Sequence, residues 1–156
     1  MSFYILANQI TSLFLSLNLL TTLSFGEDIR SYLYGGNKDE VFLEVANNGK
    51  TLVIKAKKKE IDTNMLVVTS KSKYYFHVKL DEKNPHQFVE IYDGEINSAF
   101  KKIMDKSTYE IMQGGSSLLF VNKTNKPILV NEQQVQSKEY FSLGIPIIVN
   151  GERILN

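Results

Sequence analysis

Few residues in this chain are of types that could do chemistry, and they are scattered. Two histidines are present, His77 beside Tyr75 and Lys79, and His86 after Pro85. A metal site needs several convergent ligands, and spacings such as H-x-x-x-H or H-x-E do not occur. Each histidine therefore reads as an ordinary surface or half-buried residue. Asp93 and Glu95 flank Gly94. Paired carboxylates could cleave a glycosidic bond, but closeness in sequence does not make two carboxylates face a substrate. That pair reads as a turn followed by a helix N-terminus. Ser116 and Ser117 follow Gly114-Gly115 without a G-x-S-x-G elbow, and the glycines lack the spacing of a phosphate loop. The chain has no cysteine, which removes disulfides, thiolate zinc sites, iron–sulfur clusters, cysteine nucleophiles and a lipidation cysteine. The reading is a non-enzymatic protein: no catalytic, cofactor-binding or metal residues, no cofactor and no small-molecule substrate.

Lys55, Lys57, Lys58 and Lys59 form a basic cluster, and Lys71, Lys73 and Lys79 follow it. Together with Tyr74, Tyr75 and Phe76 they could suit single-stranded nucleic acid, which binds basic grooves with stacking aromatics. Alternation, however, puts Tyr74 and Phe76 on an apolar face. The net charge of +1 gives no bulk attraction to phosphate. Nucleic acid is not an expected partner. Lysines at strand ends also discourage edge-to-edge aggregation. Asn122-Lys123-Thr124 matches a glycosylation triplet, a pattern frequent by chance.

The elements that would position these residues come from a chain of 156 residues, 43% hydrophobic and 22% charged, which suits one folded domain or a domain plus an appendage. Residues 1–26 carry no charged side chain, and charge begins at Glu27-Asp28. Apolar density peaks between Ile10 and Leu23, with Ser24 and Gly26 placed for cleavage after Gly26. The segment reads as a secretory signal peptide, although its start lacks Lys and Arg. Two other readings stay open. One is a retained anchor, interrupted by Asn8, Gln9, Thr11 and Asn18 and short against the roughly 20 residues of a bilayer crossing. The other is a buried core helix.

From Val41 onward the hydrophobic period is two. Val41, Leu43 and Val45 alternate with Phe42 and Glu44, Asn47-Asn48-Gly49 supplies hairpin-turn chemistry, and Leu52, Ile54 and Ala56 line the return strand. A short edge-type strand at Ser31–Tyr34 precedes them, closed by Gly35-Gly36. Met65–Thr69, Tyr74–Leu80 and Phe88–Tyr92 continue the strand pattern. The stretch from 49 to 80 reads as three consecutive strands of one sheet. At 95–106 the period changes: Ile96, Phe100, Ile103 and Met104 make one stripe of a helix, with Lys101, Lys102 and Lys106 toward its C-terminal end. Leu118–Asn122 is again a strand. Pro127–Val135 and Pro146–Ile154 echo each other as two hairpins turning at Asn-Glu and Asn-Gly. The expected architecture is mainly β, a β-sandwich or small barrel with one amphipathic helix, in one or two β subunits. Its parts are a lead segment at 1–26, a β-sandwich at 27–92, a helix and linker at 93–116 and a hairpin region at 117–156.

The run from Asn48 to Leu80 resembles the N-terminal β-domain of the CagX/TrbG family, including TraN-like conjugal-transfer proteins. The matching residues are Gly49, Leu52, Ile54 and Lys55; then Thr63, Asn64, Met65, Val67 and Thr69; then Tyr74, Phe76 and Val78. Asp28-Ile29-Arg30 resembles the family's early Asp-x-Arg-Ile region, and Ala56 stands where the family usually has Pro. The resemblance covers residues 27–92. It implies a non-enzymatic structural subunit of a type IV secretion or conjugation apparatus, exported through a signal peptide to the periplasm and associated with the outer membrane. It further implies partners among the core subunits, a small lipoprotein and a channel-spanning subunit, and a homo-oligomer in the assembled machine. Fold alone does not fix function, so two other readings accompany it. One is a free-standing periplasmic or secreted β-sandwich binding module. The other is a small hydrolase, which would need a deep pocket with convergent acids.

Overall fold

The structure is a computed structural model, and it describes residues 1–96 and 99–156. It is mainly β, arranged in several sheets with no closed barrel. The strands are β1 (Ser2–Ile5), β2 (Ile10–Leu15), β3 (Thr21–Phe25), β4 (Ile29–Tyr34), β5 (Val41–Val45), β6 (Thr51–Ala56), β7 (Asp62–Thr69), β8 (Lys73–Leu80) and β9 (Phe88–Asp93). They continue as β10 (Lys101–Asp105), β11 (Tyr109–Gln113), β12 (Ser117–Asn122), β13 (Ile128–Val130), β14 (Gln133–Val135), β15 (Lys138–Ser142), β16 (Ile147–Val149) and β17 (Glu152–Leu155). A single 3-10 turn, Lys38–Glu40, is the helical element among the described residues. The chain forms two compact units: Met1–Ser2 with Ile10–Tyr92, and Phe3–Gln9 with Asp93–Asn156.

The first unit is a sandwich. One sheet runs β9-β3-β6-β5 and the other β2-β8-β7-β4. Period-two alternation explains both. Leu52, Ile54 and Ala56 of β6 point inward, as do Met65 and Val67 of β7 and Tyr74, Phe76 and Val78 of β8, all nearly inaccessible to water. Each fully buried side chain of this size contributes about 1.5–3 kcal/mol. The tight turn at Asn47-Asn48-Gly49 is held by Asn48 Oδ1, which accepts the N–H groups of Lys50 (2.9 Å) and Thr51 (3.1 Å), while Gly49 takes φ 72°.

The three strands from 49 to 80 do not share one sheet. β7 and β8 are antiparallel neighbours, but β6 lies in the facing sheet between β5 and β3. The hairpin fills one side of β6 and β3 fills the other, so the polar turn at Lys57–Glu60 crosses between layers instead of folding β7 back onto β6.

Residues 1–26 hold β1, β2 and β3, and no helix forms there. β2 pairs in parallel with β8, from Ile10↔Tyr75 to Leu15↔Leu80. β3 is flanked on both sides, antiparallel to β6 and parallel to β9. Leu13, Leu15 and Leu23 are fully buried and Phe25 almost so. His86 locks this region. Its backbone N–H donates to Phe14 O (2.8 Å), its Nδ1 accepts the Phe14 N–H (3.0 Å), and its carbonyl accepts Thr21 Oγ1 (2.5 Å). Glu82 clamps the end of β2: Ser16 Oγ and the Leu17 N–H both donate to its carboxylate at 2.6 Å.

The second unit holds two sheets, β10-β11-β12-β15 and β14-β13-β16-β17. Phe120 stacks on Tyr109 (5.1 Å between centroids) and meets Phe141 edge-on (6.4 Å). The two echoed hairpins are present and join through Val130↔Val149. Their turns take positive φ at Asn131-Glu132 and Asn150-Gly151, the backbone that Asn and Gly tolerate. The buried Asn131 side chain ties one hairpin to the other, donating to Pro146 O (3.1 Å) and accepting the Ile148 N–H (2.8 Å). β1 contributes the bridge Tyr4↔Leu143.

The expected helix at 95–106 is not a helix where described: Lys101–Asp105 is strand β10, and Asn97 and Ser98 of that stretch lie outside the described residues. The apolar stripe is not buried as a helix face, for Ile96 and Ile103 are exposed. β10 instead pairs with β11 across a bulge between Lys102 and Met104, and Lys102 Nζ reaches Glu110 at 3.0 Å. The Phe100 ring lies over Gly114, where a Cβ would come within 2.9 Å of it.

Two outcomes follow. A chain starting at residue 27 lacks both β2 and β3, so its first unit contributes no cooperative unfolding transition in a thermal melt. The two hydrogen bonds to Glu82, first that from Ser16 and then that from Leu17, lower its pKa from the ordinary glutamate value of about 4.3. A depressed folded pKa contributes stability above the unfolded value and loses it as pH falls through the folded value. Glu82→Gln is therefore less stable than wild type at neutral pH, and the difference shrinks in acid as pH falls below the ordinary glutamate range through the lowered folded value, as read from denaturant melts at several pH values.

Candidate assembly surface

The structure disperses the residues that could have done chemistry. His77 lies on β8 and hydrogen-bonds Asp62 of β7, whose carboxyl is held below its usual range mainly by that bond. His86 is buried in its backbone lock. Asp93 ends β9, and Glu95 uses its backbone to exchange hydrogen bonds with Ser116 Oγ, at 3.0 and 3.1 Å. Ser116 thus fastens a loop, and Ser117 is fully buried. No helix begins at Asp93. Among the described residues no group of three His, Asp or Glu could hold a metal ion. Asn122 is buried, and its amide donates to Lys126 O (2.7 Å) and Val135 O (3.0 Å), so it serves as an internal turn clamp.

The lysines do not build one groove. Lys55 lies on β6 of one sheet, while Lys73 and Lys79 lie on β8 of the other. Lys58 stands 3.8 Å from Asp39. An open cleft of about 580 Å³ mixes signs, with Lys59 and Lys79 beside Glu40, Glu60 and Asp62. Glu40 is committed to the Tyr34 hydroxyl and the Asn37 N–H, both at 3.1 Å; burial first, then the hydrogen bond to Glu40 and its charge, raise the Tyr34 pKa. Of the aromatic run, Tyr74 and Phe76 are core and only Tyr75 is exposed. Tyr74 packs on Phe25 and its hydroxyl donates to Glu27.

What the first unit does offer is sheet edge. β4 ends one sheet and β5 ends the other. The Gly35 N–H donates to Asn64 O (2.8 Å), which sets the phase of the β4–β7 ladder. By alternation the N–H and C=O of Tyr32 and Tyr34 then point away from β7. The bonds from Ala46 N–H to Thr51 O (2.8 Å) and Lys57 N–H to Glu40 O (2.7 Å) likewise turn the backbone groups of Val41, Leu43 and Val45 away from β6. Across the outer face of the β4-containing sheet, one cross-strand row is apolar throughout. Leu33 opposes Leu66, Leu66 opposes Tyr75, and Tyr75 opposes Ile10. Leu33 is 65% exposed and Tyr75 40%. A cleft of about 260 Å³ opens between them, lined also by Tyr34, Asn64 and Leu66. Sequence alternation located these residues on strands but could not single out the row, because strand order decides which residues become neighbours.

Gly35 shapes the end of the β4 edge. A Cβ there would collide with the Asn64 side chain and lie 3.0 Å from its carbonyl oxygen. Gly35→Ala is expected to lower stability by about 1–3 kcal/mol, measured by denaturant unfolding.

None of the curated proteins compared with this chain matches it. A family model, CagX, described as a conjugal transfer protein, matches residues 4–139. That match runs well beyond residues 27–92, reaching from β1 into β15 and so including the N-terminal strands. With most of its length matched, the chain belongs to the CagX family of conjugal transfer proteins.

Proposed function

We propose that this chain is a non-enzymatic building block of a type IV secretion or conjugation apparatus, standing in the periplasm within the outer-membrane core complex. The observation that carries the reading is a pair of open sheet edges, β4 and β5, with an apolar row running back from one of them, on a chain of the conjugal transfer family. Edges of this kind are extended by strands of other chains, with backbone hydrogen bonds supplying affinity and side-chain pockets supplying specificity. The partners are a small lipoprotein, a subunit that spans the periplasm, and further copies of the chain itself. In this reading residues 1–26 serve the folded body, since β2 and β3 provide fully buried Leu13, Leu15 and Leu23.

The test is affinity purification of a tagged chain from donor cells after mild cross-linking, together with fractionation and a mating assay. The expected result is recovery with outer-membrane material and with the two partner subunits, and loss of transfer when the gene is deleted. Recovery of the chain alone from a soluble fraction, with transfer unimpaired, would instead indicate a free-standing binding module.

A further inference from the structure

The two open edges of the first unit complement each other. β4 presents Leu33, largely exposed, beside the apolar cleft of about 260 Å³. β5 presents Phe42, 44% exposed on the outer face of its own sheet, a projecting ring with no apolar neighbour opposite it, since its cross-strand partner is Lys55. Arg30 lies on β4 and Glu44 on β5, both exposed. One edge thus carries a hollow and a cation, the other a knob and an anion.

We infer that β4 of one copy pairs antiparallel with β5 of a second copy, packing Phe42 of that copy against Leu33 and so extending the apolar row of Leu33, Leu66 and Tyr75. Backbone phase and side-chain face both fit this register. With Leu33 opposite Phe42 of the second copy, Tyr32 falls opposite its Leu43 and Tyr34 opposite its Val41. These are the residues whose N–H and C=O groups point outward on the two edges. Ser31 then falls opposite Glu44 of the second copy, with Arg30 next to that carboxylate. Pairing like with like is poorer. β5 on β5, centred on Leu43, sets each Phe42 against a Glu44, and β4 on β4 leaves Phe42 in water.

The two edges open toward the same side of the sandwich. The Ile29 N–H of β4 donates to Gly49 O in the β5–β6 turn (2.9 Å), and the Tyr34 hydroxyl donates to Glu40 just before β5 (3.1 Å). A twofold rotation therefore forms the same strand pair twice, extending both sheets across the interface and closing the assembly at two copies. The pairing deepens the assembly reading and rests on it for a place in the machine. Self-association is read on the purified chain, so its failure would leave the co-purification result standing.

The experiment is sedimentation equilibrium on the purified full chain and on Leu33→Glu, Phe42→Lys and the variant carrying both. The wild type is expected to be dimeric, each single substitution to raise the dissociation constant at least about tenfold, and the double variant to recover association through its new opposed charges. Both positions are solvent-facing, and circular dichroism checks that the variants stay folded. Hydrogen exchange on the wild type supplies a second readout, with protection at Tyr32 and Leu43 rising with protein concentration. A wild type that stays monomeric, a dimer indifferent to either substitution, or exchange independent of concentration would each overturn the inference.

Discussion

Strands β2 and β3 follow one another in sequence yet enter different sheets, β2 beside β8 and β3 between β6 and β9. Everything else in the first unit depends on that division. The β2–β8 and β3–β9 pairings are parallel, so neither can form as a local hairpin; each waits for chain far downstream. Once formed, they place Leu13, Leu15, Leu23 and Phe25 against the inward faces of β6, β7 and β8 and exclude water between the layers. His86, Thr21, Ser16 and Glu82 make hydrogen bonds across this join, so the segment is fixed by them as well as by burial.

That organisation accounts for where function can lie. Interior positions are taken by apolar side chains, and the acidic and histidine residues are spent on turns, ladders and strand ends. Sheet edges remain. β3, β6, β7 and β8 are each paired on both sides, whereas β4 and β5 each end a sheet with one side open. The bend at Gly35-Gly36 lets these two edges follow one another directly in the chain while standing in different layers. A family whose work is conjugal transfer thus meets, in this member, a fold whose accessible resources are edges and faces.

The expected helix shows how a pattern can mislead. Ile96, Phe100, Ile103 and Met104 have helical spacing, but spacing only counts if the stripe has a surface to cover. Here Phe100 instead sits over Gly114, and β10 gains backbone pairing with β11 and the Lys102–Glu110 ion pair. The apolar N-terminus carries a related ambiguity. Residues 10–25 lack charge because a strand buried between neighbours needs none, and a fully buried strand and a membrane-directed segment look alike in composition.

The sequence by itself determined the β class, most strand positions, the turns at Asn48-Gly49, Asn131-Glu132 and Asn150-Gly151, the inward placing of Tyr74 and Phe76, and the kinship. These rest on local rules: alternation, positive φ at Asn and Gly, and residue identity at close spacing. Only the tertiary structure decided that β6 leaves the sheet of β7 and β8, that residues 1–26 supply core strands, and that Leu33, Leu66, Tyr75 and Ile10 form one row. The physical reason is that strand neighbours are chosen by non-local hydrogen bonding and burial. Period two tells which face a side chain takes and is silent about which strand will lie beside it.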